Sequence, residues 1–167
     1  TPTAGTVSWP GLVQRAGRPA AIGAAFHAPT LLPALDVPGN VALPLLLGSG
    51  LSRNEARRRA SEALDRLELG GLAGAAPEEL SGGQAQRVAI ARVLAAEPAL
   101  VLADEPTGRL DRRTASSVLD VLLAAVGALG AALVVTTHDP AVADLLPQRW
   151  EMTDGRLHAA AATGGRR

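Results

Sequence analysis

Alanine and leucine recur at spacings of three and four residues between Ser52 and Leu69, which predicts an amphipathic helix. Ser52 and Glu55 have the S-x-x-E spacing of a capping box, in which both side chains satisfy N–H groups that a helix start leaves free. The glycines at 70–71 predict the end of this helix. A shorter apolar helix is expected at residues 40–47, after an irregular segment rich in proline.

The side of this helix opposite its alanines carries charged residues. Two interpretations are open: a solvated face, which is the commoner case for such a run of charges, or a docking surface for a partner protein. The sequence does not separate them. The residues concerned are Arg53, Arg57, Arg58 and Glu62.

Two continuous apolar runs have the length and composition of buried strands. Leu100 to Glu105 ends in two acids, and Leu133 to His138 ends in polar residues. A helix that starts after Asp111 is expected between them, so the pattern predicts a parallel α/β sheet. The uncharged stretch from Val121 to Val135 is interpreted as the end of that helix, a glycine turn and the second strand, because a membrane span needs about 18 to 20 residues.

The opening of the chain contains two short β-prone runs. The first is Thr6 to Trp9, which ends at a Pro-Gly pair. The second is Ala21 to Phe26, which follows a turn sequence at residues 17–19. We expect both runs to form strands.

A second capping box, S-x-x-Q, begins at Ser81 and ends at Gln84, and predicts a helix that continues to about Ala96. Gly82 and Gly83 fall in its first turn, where each costs roughly 1 kcal/mol relative to alanine. Bare backbone N–H groups at the positive end of a helix dipole favour an anion. The alternative is a capped helix with incidental glycines, and the motif alone does not decide between the two.

Asp104 and Glu105 close the first strand, at the carboxyl edge where open α/β sheets bind ligands. Asp104 is a candidate for holding Mg²⁺, directly or through water, and Glu105 for orienting or deprotonating an attacking water. The alternative is an acidic cap for the next segment. That alternative is weaker because Pro106, Thr107 and Gly108 intervene before the expected helix.

His138 follows the second strand and is therefore expected on the same sheet edge as Glu105. It is a candidate hydrogen-bond donor to a terminal phosphate. A lone histidine after a strand is more often a loop residue, but three motifs in this order favour a chemical role. Asp139 and Pro140 form an N-cap and first-turn pattern that predicts a short helix.

The composition changes this interpretation in one respect, because the 167 residues include no lysine. The phosphate-binding loop GxxxxGK[ST] is therefore not among them.

The 16 acidic and 16 basic residues balance, which gives no global attraction for nucleic acid or anionic lipid. The absence of cysteine excludes disulfides and thiolate metal sites. The sequence begins without a signal-peptide pattern, and we expect it to be a piece of a larger protein.

Taken in order, the segments at 80–84, 103–111 and 136–139 resemble the signature, Walker B with D-loop, and switch motifs of ABC transporter ATP-binding subunits. Leu31 to Pro33 and Asn40 to Pro44 are similar to the lipoprotein-releasing and macrolide-export branch of that family. The resemblance implies an α/β fold of the P-loop NTPase (RecA-like) type, with a parallel sheet core and a helical subdomain. Its first strand and P-loop helix would be missing from this sequence.

The resemblance covers residues 1 to about 157 and implies a single ATP-binding domain in three segments. Residues 1–27 would be a remnant of the β subdomain with the Q-loop region. Residues 28–96 would form the helical subdomain with the signature. Residues 97–167 would form the core with Walker B, the D-loop, the switch histidine and a C-terminal hairpin.

By the same resemblance, two such subunits face head to tail with two ATP molecules between them. The signature of one subunit would contact ATP held by the phosphate loop of the other. The signature residues concerned are Ser81, Gly82, Gly83 and Gln84. The remaining implied roles are Mg²⁺ binding by Asp104, polarisation of the water by Glu105, coupling between sites by Asp111 and contact with the terminal phosphate by His138.

Two positions depart from the family pattern. His27, after Phe26, stands where the family has a glutamine that contacts Mg²⁺ and faces the transmembrane partner. Imidazole suits Mg²⁺ poorly because this ion prefers oxygen. Arg109 stands where the branch usually has a small polar residue. We expect weakened coupling to the membrane partner.

The implied function is that of an ATP-hydrolysing subunit that powers export or lipoprotein release through a transmembrane permease. It would lie on the cytoplasmic face of the cell membrane, pair with a second ATP-binding subunit and bind no nucleic acid. The isolated chain is expected neither to bind ATP tightly nor to hydrolyse it, for want of the phosphate loop. The alternative is a degenerate, non-hydrolysing partner that donates its signature to an intact subunit. A DNA-repair ATPase of related fold is disfavoured, since no long coiled-coil heptads precede Leu80.

Overall fold

The computed structural model describes residues 4, 6, 22–48 and 50–159. The strand predicted at Thr6 to Trp9 lies outside the described residues apart from its first position. Helices and parallel strands succeed one another in the described part, as the α/β prediction requires. None of the helices described there is long and apolar enough to cross a membrane.

Three parallel strands form the sheet in the order β1 (Ile22–Ala25), β2 (Leu100–Asp104) and β3 (Ala132–Thr136). Each of the three lies within one or two residues of its predicted bounds. Because β2 is central and parallel to both neighbours, the carboxyl ends of all three strands meet at one edge. Asp104 lies opposite Thr136 at that edge.

The prediction that the strand at 133–138 is buried was wrong. In β3, exposed and half-buried residues alternate, and Val134 is 40% exposed. An apolar run identifies a strand but does not reveal whether both of its faces are covered. Among the described residues, one face of β3, through Leu133 and Val135, packs against the core.

Three helices follow β1: α1 (Val37–Gly48), α2 (Arg53–Arg66) and α3 (Gly82–Leu94). α1 begins three residues before the predicted position 40, because Asp36 Oδ1 accepts a hydrogen bond from Gly39 N at 2.7 Å. The proline-rich segment before α1 is held by the buried side chain of Asn40. Its Oδ1 accepts from Leu32 N at 2.6 Å, and its amide donates to three backbone carbonyls between residues 32 and 36.

α2 begins where the capping box predicts, with Ser52 Oγ accepting from Glu55 N at 3.3 Å. It ends at Arg66 rather than at the predicted Leu69. Glu68 turns the chain with φ 61°, and Leu69 N returns to the Leu64 carbonyl at 2.9 Å. The alanine and leucine face is buried, as predicted. Its buried members are Ala56, Ala60, Ala63, Leu64 and Leu67.

Much of the charged side of α2 is paired, and one of its arginines, Arg57, pairs outside the helix with Asp36 at 2.8 Å. Arg58 forms ion pairs with Glu55 at 2.7 Å and Glu62 at 2.5 Å. The Glu55 carboxylate accepts hydrogen bonds from Arg58 and Arg59, which lower its pKa to about 2, and the Ser52 side chain alone caps α2. Exposed pairs of this kind contribute little stability each. Their mutual neutralisation supports the solvated-face interpretation of this surface.

α4 (Arg112–Leu129) connects β2 to β3 and begins immediately after Asp111, as predicted. Gly130, with φ 61°, ends it in the left-handed conformation that glycine adopts at no steric cost. The stretch 121–135 is thus a helix end, a turn and a strand. A short helix and an antiparallel hairpin follow: α5 (Pro140–Ala143), β4 (Trp150–Thr153) and β5 (Arg156–Ala159).

The core lies between the helices and the inner face of the sheet. α1 packs on both α2 and α3, while α3 also packs on β1 and α4. Burial of large aliphatic side chains is the main stabilising term in such a core. The fully buried ones include Leu45, Leu64, Ile90 and Leu122.

Candidate functional site

The carboxyl edge of the sheet brings the predicted acids together with a threonine that the sequence analysis did not single out. Asp104 ends β2, and its Oδ1 accepts a hydrogen bond from Thr136 Oγ1 at 2.5 Å. This bond orients the Asp104 carboxylate and leaves its second oxygen available. The strand register would have revealed Thr136, since it lies directly opposite Asp104.

Glu105 leaves the strand in an unusual backbone conformation. Its φ is 45°, in the left-handed region that residues other than glycine, asparagine and aspartate seldom adopt. Its N–H donates to the Thr136 carbonyl at 2.9 Å, and its own carbonyl accepts from Gly108 N at 3.2 Å. A strained backbone of this kind persists where several surrounding hydrogen bonds and contacts hold it in place. Such residues are concentrated at functional sites.

The side chains of Glu105 and His138 are in direct contact. Glu105 Oε1 accepts from the backbone N–H of His138 at 2.9 Å and lies 2.7 Å from His138 Nδ1. The hydrogen bond to this carboxylate raises the pKa of His138, and the charge attraction adds to it. The His138 side chain is 79% exposed against 26% for Glu105, so its second ring nitrogen faces solvent. The edge thus pairs a sheltered carboxylate with an accessible imidazole.

The start of α3 carries the predicted capping box in full. Ser81 Oγ accepts from Gln84 N at 3.3 Å, and Gln84 Oε1 accepts from Ser81 N at 2.9 Å. The helix ends at Leu94, two residues before the predicted Ala96, with Ala95 as its C-cap.

The two glycines of that helix start differ in what surrounds them. A Cβ on Gly83 would overlap Thr114 Cγ2 in the first turn of α4, so packing requires glycine there. A Cβ on Gly82 would meet only Leu110 Cδ2, at an ordinary 3.6 Å. Close helix packing therefore accounts for Gly83. It does not account for Gly82.

Asp111 is the N-cap of α4. Its Oδ1 accepts from Arg113 N and Thr114 N, both at 3.1 Å, and its Oδ2 accepts from Thr114 Oγ1 at 2.6 Å. The hydroxyl of Thr114 is the largest cause of the lowered pKa of Asp111. Asp111 therefore stays a carboxylate at neutral pH, with a defined orientation beside the start of α3.

His27, just past the end of β1, lies against the loop that follows β2. Its Nδ1 is 3.3 Å from the Glu105 carbonyl oxygen, and its Nε2 accepts from Arg109 Nε at 3.1 Å. A Cβ on Gly108 would come within 2.9 Å of its Cε1. The two positions that depart from the family pattern are thus in contact with each other.

The predicted site residues form two groups. Asp104, Glu105, His138 and His27 lie around the carboxyl edge of the sheet, and a cleft of about 460 Å³ opens beside Glu105 and His138. The signature residues lie with Asp111 at the touching ends of α3 and α4. No hydrogen bond between described residues joins Ser81 to Glu105 or His138.

The donor set is compatible with Mg²⁺ but does not enclose it. Asp104 offers a carboxylate oxygen, the ligand type this ion prefers. In the described part of the chain, no group of three or more histidine, cysteine, aspartate or glutamate side chains could hold a metal. Mg²⁺ in nucleotide sites is commonly held by one or two carboxylates together with the substrate's phosphates. One aspartate therefore fits that kind of site.

Open parallel sheets bind ligands at their carboxyl edge, and a capped helix start with bare N–H groups suits phosphate. The class of protein that fits this geometry is a nucleotide-binding α/β domain. The family model described as ABC transporter matches residues 1–108, and the chain therefore belongs to the ABC transporter family.

Curated relatives agree with this family and with the branch that the motifs resemble. The chain is 46% identical to the lipoprotein-releasing system ATP-binding protein LolD of Alcanivorax borkumensis over 132 residues, which are 79% of this chain and 57% of that protein. It is 43% identical to the ABC transporter ATP-binding protein YknY of Bacillus subtilis over 141 residues, which are 84% and 60% respectively. The chain spans less than two thirds of the length of these relatives.

Solved structures agree on the fold. The dimeric ATP-binding cassette MJ0796, in a post-hydrolysis state with ADP and Pi, has a TM-score of 0.71 and 39% identity, over 84% of this chain and 63% of that one. The cassette cbiO1 from Clostridium perfringens has a TM-score of 0.75 and 32% identity, over 83% and 55%. The fold class and the family resemblance predicted from the sequence are confirmed.

Proposed function

We propose that this chain is part of an ATP-hydrolysing subunit that powers export or lipoprotein release through a transmembrane permease. The observation that carries the proposal is the contact between Glu105 and His138 at the sheet edge beside Asp104. ATP supplies the phosphoanhydride bond that is broken, and Mg²⁺ balances the charge of its phosphates. Asp104 is the residue that would hold this ion.

The proposed chemical roles follow from the two side chains in contact. Glu105 is partly sheltered and accepts two hydrogen bonds from His138, so its carboxylate is oriented to accept a proton from an attacking water. The ring of His138 keeps one nitrogen in solvent, from which it can donate to a terminal phosphate oxygen. The raised pKa favours the protonated, donating form of His138.

The start of α3 is proposed to act on a second ATP-binding subunit. Ser81 caps the helix without blocking Gly82. Packing does not explain why residue 82 lacks a side chain. The N-terminal dipole and this open backbone favour a phosphate from another molecule. Asp111, fixed at the adjoining start of α4, is proposed to couple the two sites across the pair.

The partners proposed are a second ATP-binding subunit and a transmembrane permease, with no nucleic acid. Support comes from relatives, because one is part of a lipoprotein-releasing system and MJ0796 is a dimer. The chain would then lie on the cytoplasmic face of the membrane, bound to the permease.

The test measures ATP hydrolysis by the protein translated from the complete open reading frame, assembled with its permease. Glu105→Gln is expected to lower kcat by about 10²- to 10⁴-fold with little change in KM, because it removes the proton acceptor. Ser81→Asp keeps a capping side chain but places a negative charge against phosphate, so hydrolysis should fall as well. Arg156→Ser, on the exposed strand β5 away from the cleft, is the control.

The same pair of variants distinguishes the alternative function. A degenerate partner that only donates its signature would lose activity with Ser81→Asp but not with Glu105→Gln. Full hydrolysis by the purified 167-residue chain alone would contradict the proposed need for a phosphate loop from elsewhere. Unchanged activity in both variants would reject the ATPase proposal itself.

A further inference from the structure

The ring of His27 is held at three points between the end of β1 and the loop 105–110. Nδ1 faces the Glu105 carbonyl at 3.3 Å, Nε2 faces Arg109 Nε at 3.1 Å, and Cε1 lies against the backbone of Gly108. The residue before it is anchored as well. The buried side chain of Gln86, on α3, donates to the Phe26 carbonyl at 3.3 Å.

The two hydrogen bonds define the protonation of the ring. Arginine Nε carries a hydrogen and has no acceptor capacity, so the Nε2 of His27 must offer its lone pair to Arg109. A neutral imidazole carries its hydrogen on the other nitrogen. Nδ1–H can then donate to the Glu105 carbonyl, which accepts only. Both neighbours are satisfied by one tautomer and by no other.

That tautomer leaves no lone pair of His27 free. The nitrogen that lacks a hydrogen is occupied by Arg109, and the other nitrogen donates. Metal ligation requires a free nitrogen lone pair. In this arrangement His27 is not available to Mg²⁺, and its role must lie in what it contacts.

His27 contacts a strained part of the backbone. Glu105 has φ 45°, and its carbonyl accepts from both Gly108 N and the His27 ring. Such conformations cost of order 1–3 kcal/mol and need compensating contacts. The same residue presents its carboxylate to His138. A change in its backbone angle would move that carboxylate.

We propose that His27 is a positioning residue: with Arg109 it fixes the loop 105–110, and through the Glu105 backbone it sets where the Glu105 carboxylate meets His138. Where the family has a glutamine that contacts Mg²⁺, this chain has a histidine whose hydrogen bonds connect the end of β1 to this loop. Only its consequence for hydrolysis rests on the proposed function. The link itself is a property of the folded chain.

The first test is the tautomer of His27 in the full 167-residue chain without nucleotide, from ¹⁵N–¹H correlation spectra of the imidazole rings. The chain has three histidines, which single glutamine substitutions assign. His27 should show Nδ1–H with an unprotonated Nε2 in solution alkaline enough to keep imidazole neutral. Arg109→Ser should weaken this preference, because the Glu105 carbonyl alone then favours Nδ1–H, and Arg112→Ser should preserve it. An Nε2–H tautomer in the unmodified chain would overturn the proposal.

The second test uses His138 as a reporter of the Glu105 carboxylate. His27→Ala should bring the pKa of His138 down toward its ordinary value, because Glu105 no longer holds its position. His27→Gln should restore the raised pKa, since an amide can both donate to the Glu105 carbonyl and accept from Arg109. An unchanged His138 pKa in His27→Ala would refute the positioning role.

A hydrolysis measurement then separates this inference from the proposed function. In the complete, permease-bound protein, His27→Ala should lower kcat at least tenfold, and His27→Gln should recover it. If the imidazole spectra agree and hydrolysis is absent from the unmodified protein, the ATPase proposal fails while the link stands. If hydrolysis is present and the spectra disagree, the link fails alone.

Discussion

At the scale of single residues, the site depends on unequal exposure of two side chains that touch. Glu105 is partly sheltered and His138 is largely in solvent, yet they share a 2.7 Å contact. The carboxylate thereby orients a ring that remains accessible. Thr136 and His27 perform comparable tasks on Asp104 and on the Glu105 backbone. Each of these groups is thus oriented by a neighbour that ends or follows another strand.

This contact predicts a pH dependence of stability. The pKa of His138 is raised by Glu105, so the pair contributes fully below the ordinary histidine value of 6.5 and its contribution is lost as pH rises through the raised value. The free energy of unfolding of the unmodified chain should therefore exceed that of Glu105→Gln most in mild acid, and the difference should shrink as the pH is raised. Denaturant unfolding at a series of pH values measures this.

His138→Gln provides the control for that measurement. In that background, Glu105→Gln should change stability by an amount that does not vary over the same pH range. A difference between the unmodified chain and Glu105→Gln that grows with rising pH would contradict the assigned ion pair.

At the scale of elements, four helix starts followed from local chemistry, whereas the start of α1 and the end of α2 did not. Ser52, Ser81, Asp111 and Asp139 cap the helices that the sequence patterns predicted. A cap is a bond between near neighbours, so sequence spacing reveals it. The end of α2 instead depends on a left-handed Glu68, a conformation that glutamate does not signal.

The glycines of α3 give a prediction at this scale. Gly83→Ala should lower the free energy of unfolding by about 1–3 kcal/mol, because its Cβ overlaps Thr114. Thr114 cannot turn away without breaking its 2.6 Å bond to Asp111. Gly82→Ala, one residue earlier, has room and should raise stability by up to about 1 kcal/mol. Denaturant unfolding of the two variants checks this, and equal effects would contradict it.

At the scale of the whole molecule, the position of a strand in the sheet determines how far its side chains are buried. In the part of the chain that the structure describes, β2 lies between β1 and β3 and is largely buried, whereas exposed and half-buried residues alternate along β3. The two strands have similar apolar sequences. Their different surroundings arise only when the sheet assembles with α3 and α4.

Two matched substitutions test this difference. Val101→Thr keeps the shape of the side chain but buries a hydroxyl in β2, and should cost about 1–3 kcal/mol. Val134→Thr makes the same change on β3, where the residue is 40% exposed, and should cost less than about 0.5 kcal/mol. Chemical unfolding of both variants measures the gap. A similar cost at the two positions would show that the outer face of β3 is covered.

The sequence by itself determined the order of helices and strands, the capped helix starts and the edge at which Asp104, Glu105 and His138 lie. These follow from periodicity, short-range hydrogen bonds and the rule that parallel strands end together. Only the tertiary structure decided that β3 is half exposed, that Gly83 is required by Thr114, and that His27 bonds to Arg109. The contact of residue 83 with Thr114 and that of His27 with Arg109 join positions about 30 and 80 residues apart. No local pattern encodes them, because they exist only once separate elements pack against one another.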